Sequence, residues 1–392
     1  PCEVSLLRDR AAIAGVGSTP VWKRGGSAPR TETELACTAI LAALEDCGLT
    51  PRDVDGFAYF AGGFDSPLLM EVLGIPDLRF SASLTGTGGG SAGAIGLAAT
   101  AVVAGEAHVV VVVGGQVQGQ QRYGTITAAH APDPLSAFIQ SAGLVGPGHL
   151  FALLARRHMH LYGTTRDAFC EVALSTRDNA LCNPAALIRK PLSRDDYFAA
   201  PMISDPHCLF DFCLETDAMV ACVVTSAERA RDLAQTPALI RAAVHGGRRD
   251  WGRSLYWMNM PDSVFAGSGH DGIADRLWSA AGLGPQDVDC AQIYDHFTSQ
   301  VLFQLEDYGF CPKGEGGSFV LDGAIRHGGC LPVNTDGGQL SAGYAWGLTH
   351  VVEAVAQLRG TAPRQVPGAE VVLVTGGPSS LPLSSLILRR DS

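Results

Sequence analysis

The stretch LTGTGGGSAG, residues 84–93, puts a run of glycines at the mouth of a small-residue helix. A helix N-terminus carries unpaired N–H groups and the positive end of the macrodipole. Glycines let an oxygen that is gaining negative charge come close to them. The literal pattern Gly88-x-Gly90-x-x-Gly93 also fits a dinucleotide turn. That fold needs an acidic residue at the end of the next strand, and here the strand ends in GGQVQGQ. The phosphate-loop pattern GxxxxGK[ST] is absent. The plain reading of the glycines is close helix–sheet packing.

Few other side chains offer obvious chemistry. In YDHF (294–297) the alternation of an extended chain points Tyr294 and His296 the same way, with Asp295 between them. Taken singly, Tyr294 reads as a strand-end tyrosine packing its ring, and Tyr344 in GYAWG as a helix residue. His296 reads equally as a satisfied structural histidine, and His350 as interior packing. His158 and His160 sit two apart on a helix, which turns their rings away from each other and from a shared metal. Lys23, Lys190 and Lys313, the three lysines among 28 basic residues, all lie in loop-like contexts unsuited to a desolvated Schiff-base amine. The 11 cysteines contain no CxxC pair, and Cys208 and Cys213 have no matching second pair for zinc. Reduced thiols in a cytoplasm are the expectation.

A chain of 392 residues, 46% hydrophobic and 17% charged, supports a large core, and a net charge of -11 disfavours nucleic acid. Short basic clusters at 156–158, 189–190 and 248–249 are large enough only for the phosphates of a small cofactor. The weakly charged run 92–115 contains Glu106 and His108 and reads as helix then strand, not as a membrane span.

The elements that carry these residues occur twice. GLTPRDVDGFAYF (48–60) is echoed by GLGPQDVDCAQIYDHF (282–297), SAGAIGLAATAV (91–102) by SAGYAWGLTHVV (341–352), and VVVVVGG (109–115) by VVLVTGG (371–377). Three echoes in one order indicate two copies of a unit. Each copy runs helix (34–46; 272–281), PxDVD turn, strand (56–60; 291–294), small-residue helix, then a Val-rich strand ending in Gly-Gly. Continuous apolar strands alternating with helices predict parallel strands buried on both faces, in a layered α/β fold whose βαβ halves share a helical layer. The halves are expected at 1–235 and 236–392. An elaborated loop region over about 116–205, with helices near 148–162 and 166–179, is expected to build a substrate tunnel.

The duplicated layout, together with AAIAGVGSTPV, YDHFTSQVLFQLEDYGFCPKGEGG, NTDGGQLSAGYAWGLTHVVEAVAQLRG and TSAERARDL, resembles the thiolase superfamily. The resemblance covers nearly the whole chain and is greatest to the sterol-carrier-protein-x and lipid-transfer-protein branch. It implies a five-layer α-β-α-β-α thiolase fold. In thiolases the turn at 84–93 carries the nucleophilic cysteine, and that position is Gly88 here. The second thiolase cysteine falls near Gly377 and is also missing. The histidine of the Gly-His-Pro motif is replaced by Tyr344, and that of the His-Asp-x-Phe motif by Tyr294. Acyl transfer through a cysteine thioester is therefore not expected in its usual form.

The resemblance instead implies retro-aldol cleavage of a β-hydroxyacyl-CoA, on the pattern of the branch's aldolases. For a 17-hydroxy steroid C22-CoA thioester the products are a 17-keto steroid and propionyl-CoA. Tyr294 and Tyr344 would supply acid and base, Asp295 and His296 would support them, and the amides of Gly88 and Gly377 would hold the thioester oxygen. The chain would need no cofactor, CoA being part of the substrate. It would form a homodimer through first-half strands and bind a small zinc-ribbon/OB-fold partner that carries any zinc. Two alternatives stand beside this: an acyltransferase using Cys290 or Cys330, and a non-catalytic lipid carrier or scaffold subunit.

Overall fold

The computed structural model describes residues 5–60, 62–84, 88–118, 137, 140–144, 146–248, 265–379 and 382–391. The GQQRYGTITAAHAPDP stretch of the expected loop region and Arg249 lie outside them.

The first half contains strands β1 (Ala11–Ser18), β2 (Trp22–Lys23), β3 (Gly56–Phe60), β4 (Phe80–Leu84) and β5 (Val109–Gln116), with helices α1 (Glu32–Cys47), α2 (Ser66–Leu73) and α3 (Gly90–Ala104). Helices α4 (Pro147–Tyr162), α5 (Arg166–Cys182) and α6 (Arg194–Ala199) follow, then the small pair β6 (Met202–Ser204) and β7 (His207–Cys208). Strand β8 (Thr216–Ser226) and helix α7 (Ala227–Arg231) lead to β9 (Ala238–Gly246). The second half continues with α8 (Asp271–Ala281), β10 (Cys290–Gln292), α9 (Thr298–Asp307), α10 (Gly316–Leu321), α11 (Leu348–Arg359), β11 (Val371–Gly376) and β12 (Leu383–Arg390).

Helix α1 starts where the Thr31 side chain accepts the Glu34 N–H, and stops at Gly48, whose φ of 75° suits glycine. Its apolar stripe, including Leu35, Ile40 and Leu44, is fully buried on one face of the first-half strands. Helices α3 and α11 pack together against strands of both halves, and α8 and α9 cover the far face of the second. That order of layers is the expected α-β-α-β-α arrangement. Burial of α3 is nearly complete all round, and its uniformly small side chains fit such a central layer.

The PxDVD echo has one structural purpose in both halves. Asp55 accepts the N–H groups of His108 and Val109 at the start of β5, at 2.8–3.0 Å. Asp289 accepts those of Glu370 and Val371 at the start of β11, at 2.8 and 2.9 Å. Each aspartate ties the strand that follows it to the strand that will pair beside it.

Strand direction is less uniform than the apolar runs predict. β3 lies parallel to both β4 and β5, and β10 parallel to β11. The pairs β5–β8, β1–β8, β1–β9, β9–β12 and β11–β12 are antiparallel. β8 is buried on both faces, so its apolar run reads like that of a parallel strand although it runs the other way. Short β1–β9 pairing through Ala12–Leu239 and Ile13–Ala238 joins the two halves into one ladder.

Candidate active site

The chain leaves β10 at Gln292 and brings Tyr294 into the interior with its backbone held on both sides. Its N–H donates to Thr375 Oγ1 at 2.9 Å, and its carbonyl accepts from Gln304 Nε2 at 2.9 Å. Thr375 Oγ1 in turn donates to Gln304 Oε1 at 2.6 Å, closing the loop. All of these groups belong to the second half.

Tyr344 is held from the first half. Its N–H donates to Thr216 Oγ1 at 3.0 Å, and its carbonyl accepts from Thr216 Oγ1 at 2.7 Å and from Gln116 Nε2 at 3.4 Å. Contrary to its reading as a helix residue, Tyr344 lies between a π-helical turn (Gly338–Ala342) and the start of α11. Positive φ values at Trp346 (53°) and Gly347 (86°) keep the helix from starting sooner. Such interruptions recur at functional sites because they re-aim a side chain.

The two tyrosines converge. Their hydroxyl oxygens lie 2.9 Å apart, with the side chains only 2% and 6% exposed. Beneath them is Gly88: a Cβ added there would fall inside the Tyr294 ring, against Cζ and the hydroxyl. Gly347 meets the same ring from another side, its added Cβ falling 2.7 Å from Cδ2. Gly377, at φ 72°, is so close to Gly89 that an added Cβ would sit 2.5 Å from the Gly89 nitrogen. Ser91 Oγ donates to the Gly88 carbonyl at 2.9 Å and holds the turn onto the first residues of α3. Gly88, Gly377, Tyr294 and Tyr344 thus form one site between the halves, at the N-terminus of a buried helix.

Five comparisons bear on this geometry. A family model described as thiolase C-terminal domain-like matches residues 257–388. The chain is 41% identical to the 17-hydroxy-3-oxo-4-pregnene-20-carboxyl-CoA lyase of Mycobacterium tuberculosis, over 98% of this chain and 100% of the relative. It is 39% identical to the steroid side-chain-cleaving aldolase of Thermomonospora curvata, over 99% of this chain and 100% of the relative. The solved Ltp2-ChsH2(DUF35) aldolase superposes with a TM-score of 0.92 at 38% identity, covering 99% of each chain. The chain belongs to the steroid side-chain-cleaving aldolases of the thiolase superfamily. An acetyl-CoA acetyltransferase from Syntrophomonas wolfei, 16% identical with a TM-score of 0.71 over 99% of this chain and 100% of that one, shares the fold alone.

The remaining expected site residues of this aldolase divide. His296 does lie beside Tyr294, ring centroids 5.2 Å apart, and stands edge-on to Phe151 at 4.4 Å. Burial, helped by the nearby His207, pushes its pKa down to about 3, so the ring is neutral. Its Nδ1 is buried with no hydrogen-bond partner among the described residues. Asp295 turns away, into the π-helical turn, where it accepts from the Gln339 and Leu340 N–H groups at 2.9 and 3.3 Å. His350 Nε2 lies 3.2 Å from Asp295 Oδ1. That histidine, read from sequence as packing, is the polar residue that the sequence reading passed over. An imidazole in the otherwise apolar LTHVV start of a buried helix was the available signal.

Other nucleophiles are poorly placed. Cys290 is fully buried on β10 among α3 and α11 side chains, and burial, with Glu353 and Asp289 nearby, raises its thiol pKa. Cys330 is exposed. Burial acts to lower the Lys313 pKa, but Asp307 and Glu306, each with an oxygen 3.1 Å from Nζ, hold it above its ordinary value. It stays a cation and forms no imine. Among the described residues no helix is long and apolar enough to cross a membrane.

Proposed function

We propose that Tyr294 and Tyr344 carry out retro-aldol cleavage of a steroid-type β-hydroxyacyl-CoA, of which the 17-hydroxy C22-CoA thioester is the expected form. The observation that carries this reading is the hydroxyl pair at 2.9 Å, standing where a side chain at position 88 would otherwise be. One tyrosine, as phenolate, takes the proton of the β-hydroxyl. The new ketone forms as the Cα–Cβ bond breaks, and its electron pair moves to the thioester as an enolate. The other tyrosine returns a proton to the enolate carbon, so the products are a 17-keto steroid and propionyl-CoA. The step is redox-neutral and balances without a further co-reactant. Amides at Gly88 and Gly377, at the N-terminus of α3, suit the oxyanion of the enolate. The neutral His296 suits a hydrogen bond to the substrate better than charge transfer.

The names of the relatives support the substrate class, and the name of the superposing aldolase, which joins two components, supports a partner subunit. We take that partner to be a small zinc-ribbon/OB-fold chain, joined to a homodimer of this one. Acyl transfer fits less well: the nucleophile position is filled by the Tyr294 ring, and Cys290 is buried with a raised pKa. A silent carrier would not need two phenols hydrogen-bonded to each other in a buried site. The test is incubation with the 17-hydroxy C22-CoA thioester, with and without the partner, followed by mass spectrometry. Appearance of the 17-keto steroid with propionyl-CoA is expected. Binding without either product in the presence of partner would favour the carrier reading.

A further inference from the structure

We propose that His350 and Asp295 form a buried latch that positions the tyrosine pair. His350 acts as a positioning residue through the Asp295 carboxylate rather than by touching substrate. The inference deepens the aldolase reading and rests on it for its kinetic test.

Asp295 is the point where three segments meet. It directly follows Tyr294, it accepts backbone N–H groups from the π-helical turn that precedes Tyr344, and it pairs with His350 on α11. Asp295 and His350 are both wholly buried. The Nε2–Oδ1 separation of 3.2 Å is within ion-pair reach, but the angle does not make a hydrogen bond, and neither ring nitrogen has another hydrogen-bond partner among the described residues. A histidine buried in that way would be costly for packing alone. The carboxylate oxygen within ion-pair reach is that of Asp295, and His350 also acts on the buried Asp336 carboxyl. Its ring also stands edge-on to Tyr294, centroids 6.4 Å apart. The turn has no slack around the carboxylate: a Cβ on Gly338 would strike Asp295 Oδ2.

The other ionisable groups facing this latch are Asp336 in the turn before the π-helix, Glu353 one turn along α11, and Cys213 packed near Asp295. Burial, then Asp336, pushes Glu353 up to about 8, and burial raises Asp336 as well, although His350 acts on it in the opposite sense. Asp295, held by two N–H groups, is the carboxyl that lies within 3.2 Å of His350.

The test compares two replacements whose order separates the latch from packing. His350→Gln keeps a polar N–H toward Asp295 and should lower kcat by less than about tenfold. His350→Leu fills the same space with no polar atom and should lower kcat by roughly 10- to 100-fold, more than His350→Gln, with KM within about threefold, on the scale of misplaced catalytic groups. A packing histidine gives the reverse order, and that order overturns the proposal. A second readout needs no turnover: tyrosinate absorbance titrated against pH, minus the same titration of Tyr294→Phe. Asp295→Asn should move the Tyr294 component to lower pH, on the order of one unit. An unmoved component overturns the latch even if the parental protein cleaves substrate. A shift of the expected sign in a protein that cleaves nothing would sink the aldolase reading instead. If His350→Leu is not recovered folded, the Asp295→Asn titration and the His350→Gln kcat decide: an unmoved titration, or a Gln variant as impaired as Tyr294→Phe, overturns it.

Discussion

Residue 60 of the first half and residue 294 of the second fall at the same place in the repeat, twelve positions after Gly48 and Gly282. Phe60 closes β3 with a ring that is 1% exposed, packed so tightly that a Cβ on Gly90 or Gly114 would come within 2.7 or 2.5 Å of it. Tyr294 reaches across to the corresponding helix start of the other half and meets Gly88. The second echo differs more. Ala94 and Tyr344 are equivalent, 250 residues apart. Ala94 lies inside the regular helix α3, whereas Tyr344 precedes α11, after a π-turn and before Trp346 and Gly347 at positive φ. One copy of the unit is therefore a structural element, and the other gives up helical regularity to present a phenol. The first half contributes the helix N-terminus with Gly88, the second the tyrosines with Gly347 and Gly377. Neither half is a site alone.

Making the second half resemble the first should remove activity. Tyr294→Phe restores the Phe60 arrangement and should lower kcat by about 10²- to 10⁴-fold, the usual scale for a general acid or base. Tyr344→Phe should do likewise. Acyl-CoA affinity, measured by calorimetry, should stay within about threefold because the ring and its packing remain. Near-parental turnover by both variants would return these tyrosines to the status of Phe60.

Moving the nucleophile position back toward a side chain should cost less but still be severe. Gly88→Ala places a methyl where the Tyr294 ring is, so the ring must move and the hydroxyl pair must open. We expect kcat to fall by about 10- to 100-fold and stability to fall by about 1–3 kcal/mol from overpacking. Gly88→Cys should fall as far and should not gain thiolase activity, since thiol and phenol compete for one space. Parental kinetics in Gly88→Ala would show that the turn yields and that the tight fit has no catalytic consequence.

Much of this asymmetry was legible in the sequence. The echoes aligned the halves, the PxDVD aspartates recur with the same bonds, and the missing cysteine at 88 and the tyrosines at 294 and 344 stood out against the thiolase pattern. Strand direction was not legible, because β8 is as apolar on both faces as a parallel strand. Nor was the break before α11, since SAGYAWGLTHVV carries a helical echo that the π-turn, Gly343, Trp346 and Gly347 depart from only in the backbone. Asp295 is next to Tyr294 in sequence, yet an extended chain sends it to the opposite side, into the π-turn. His350 was read as packing because its partner lies 55 positions away.

The reciprocal exchange tests the first half. Phe60→Tyr introduces a hydroxyl onto a buried ring that belongs to an apolar cluster. The cost of an unsatisfied buried polar group is about 1–3 kcal/mol, read as a lower urea midpoint with unchanged slope. Turnover per folded molecule should remain within about twofold. A drop in kcat as large as that of Tyr294→Phe would mean that Phe60 also bears on the chemistry, and the division of labour between the halves would fail.

The smallest effect concerns protons. Burial lowers His296 to about 3, and it lowers His207 and His270 each to about 4, although Asp211 and Asp307 respectively act in the opposite sense. An unfolded histidine titrates near 6.5. As pH falls below that value the unfolded chain binds these protons and the native protein does not, so stability is fully present above about 6.5 and is lost progressively toward 4 and 3. Each such histidine contributes a slope of up to about 1.4 kcal/mol per pH unit in that window. His296→Gln keeps a polar side chain beside Tyr294 and removes one of the three protons. Urea unfolding at pH 7.5, 6.0 and 5.0 should therefore show the variant losing less stability than the parental protein between 6.0 and 5.0, by up to that amount. Parallel losses in the two proteins would mean that His296 takes up its proton in the native state. It would then stand beside Tyr294 as a cation, and the neutral hydrogen-bonding role assigned to it would have to be abandoned.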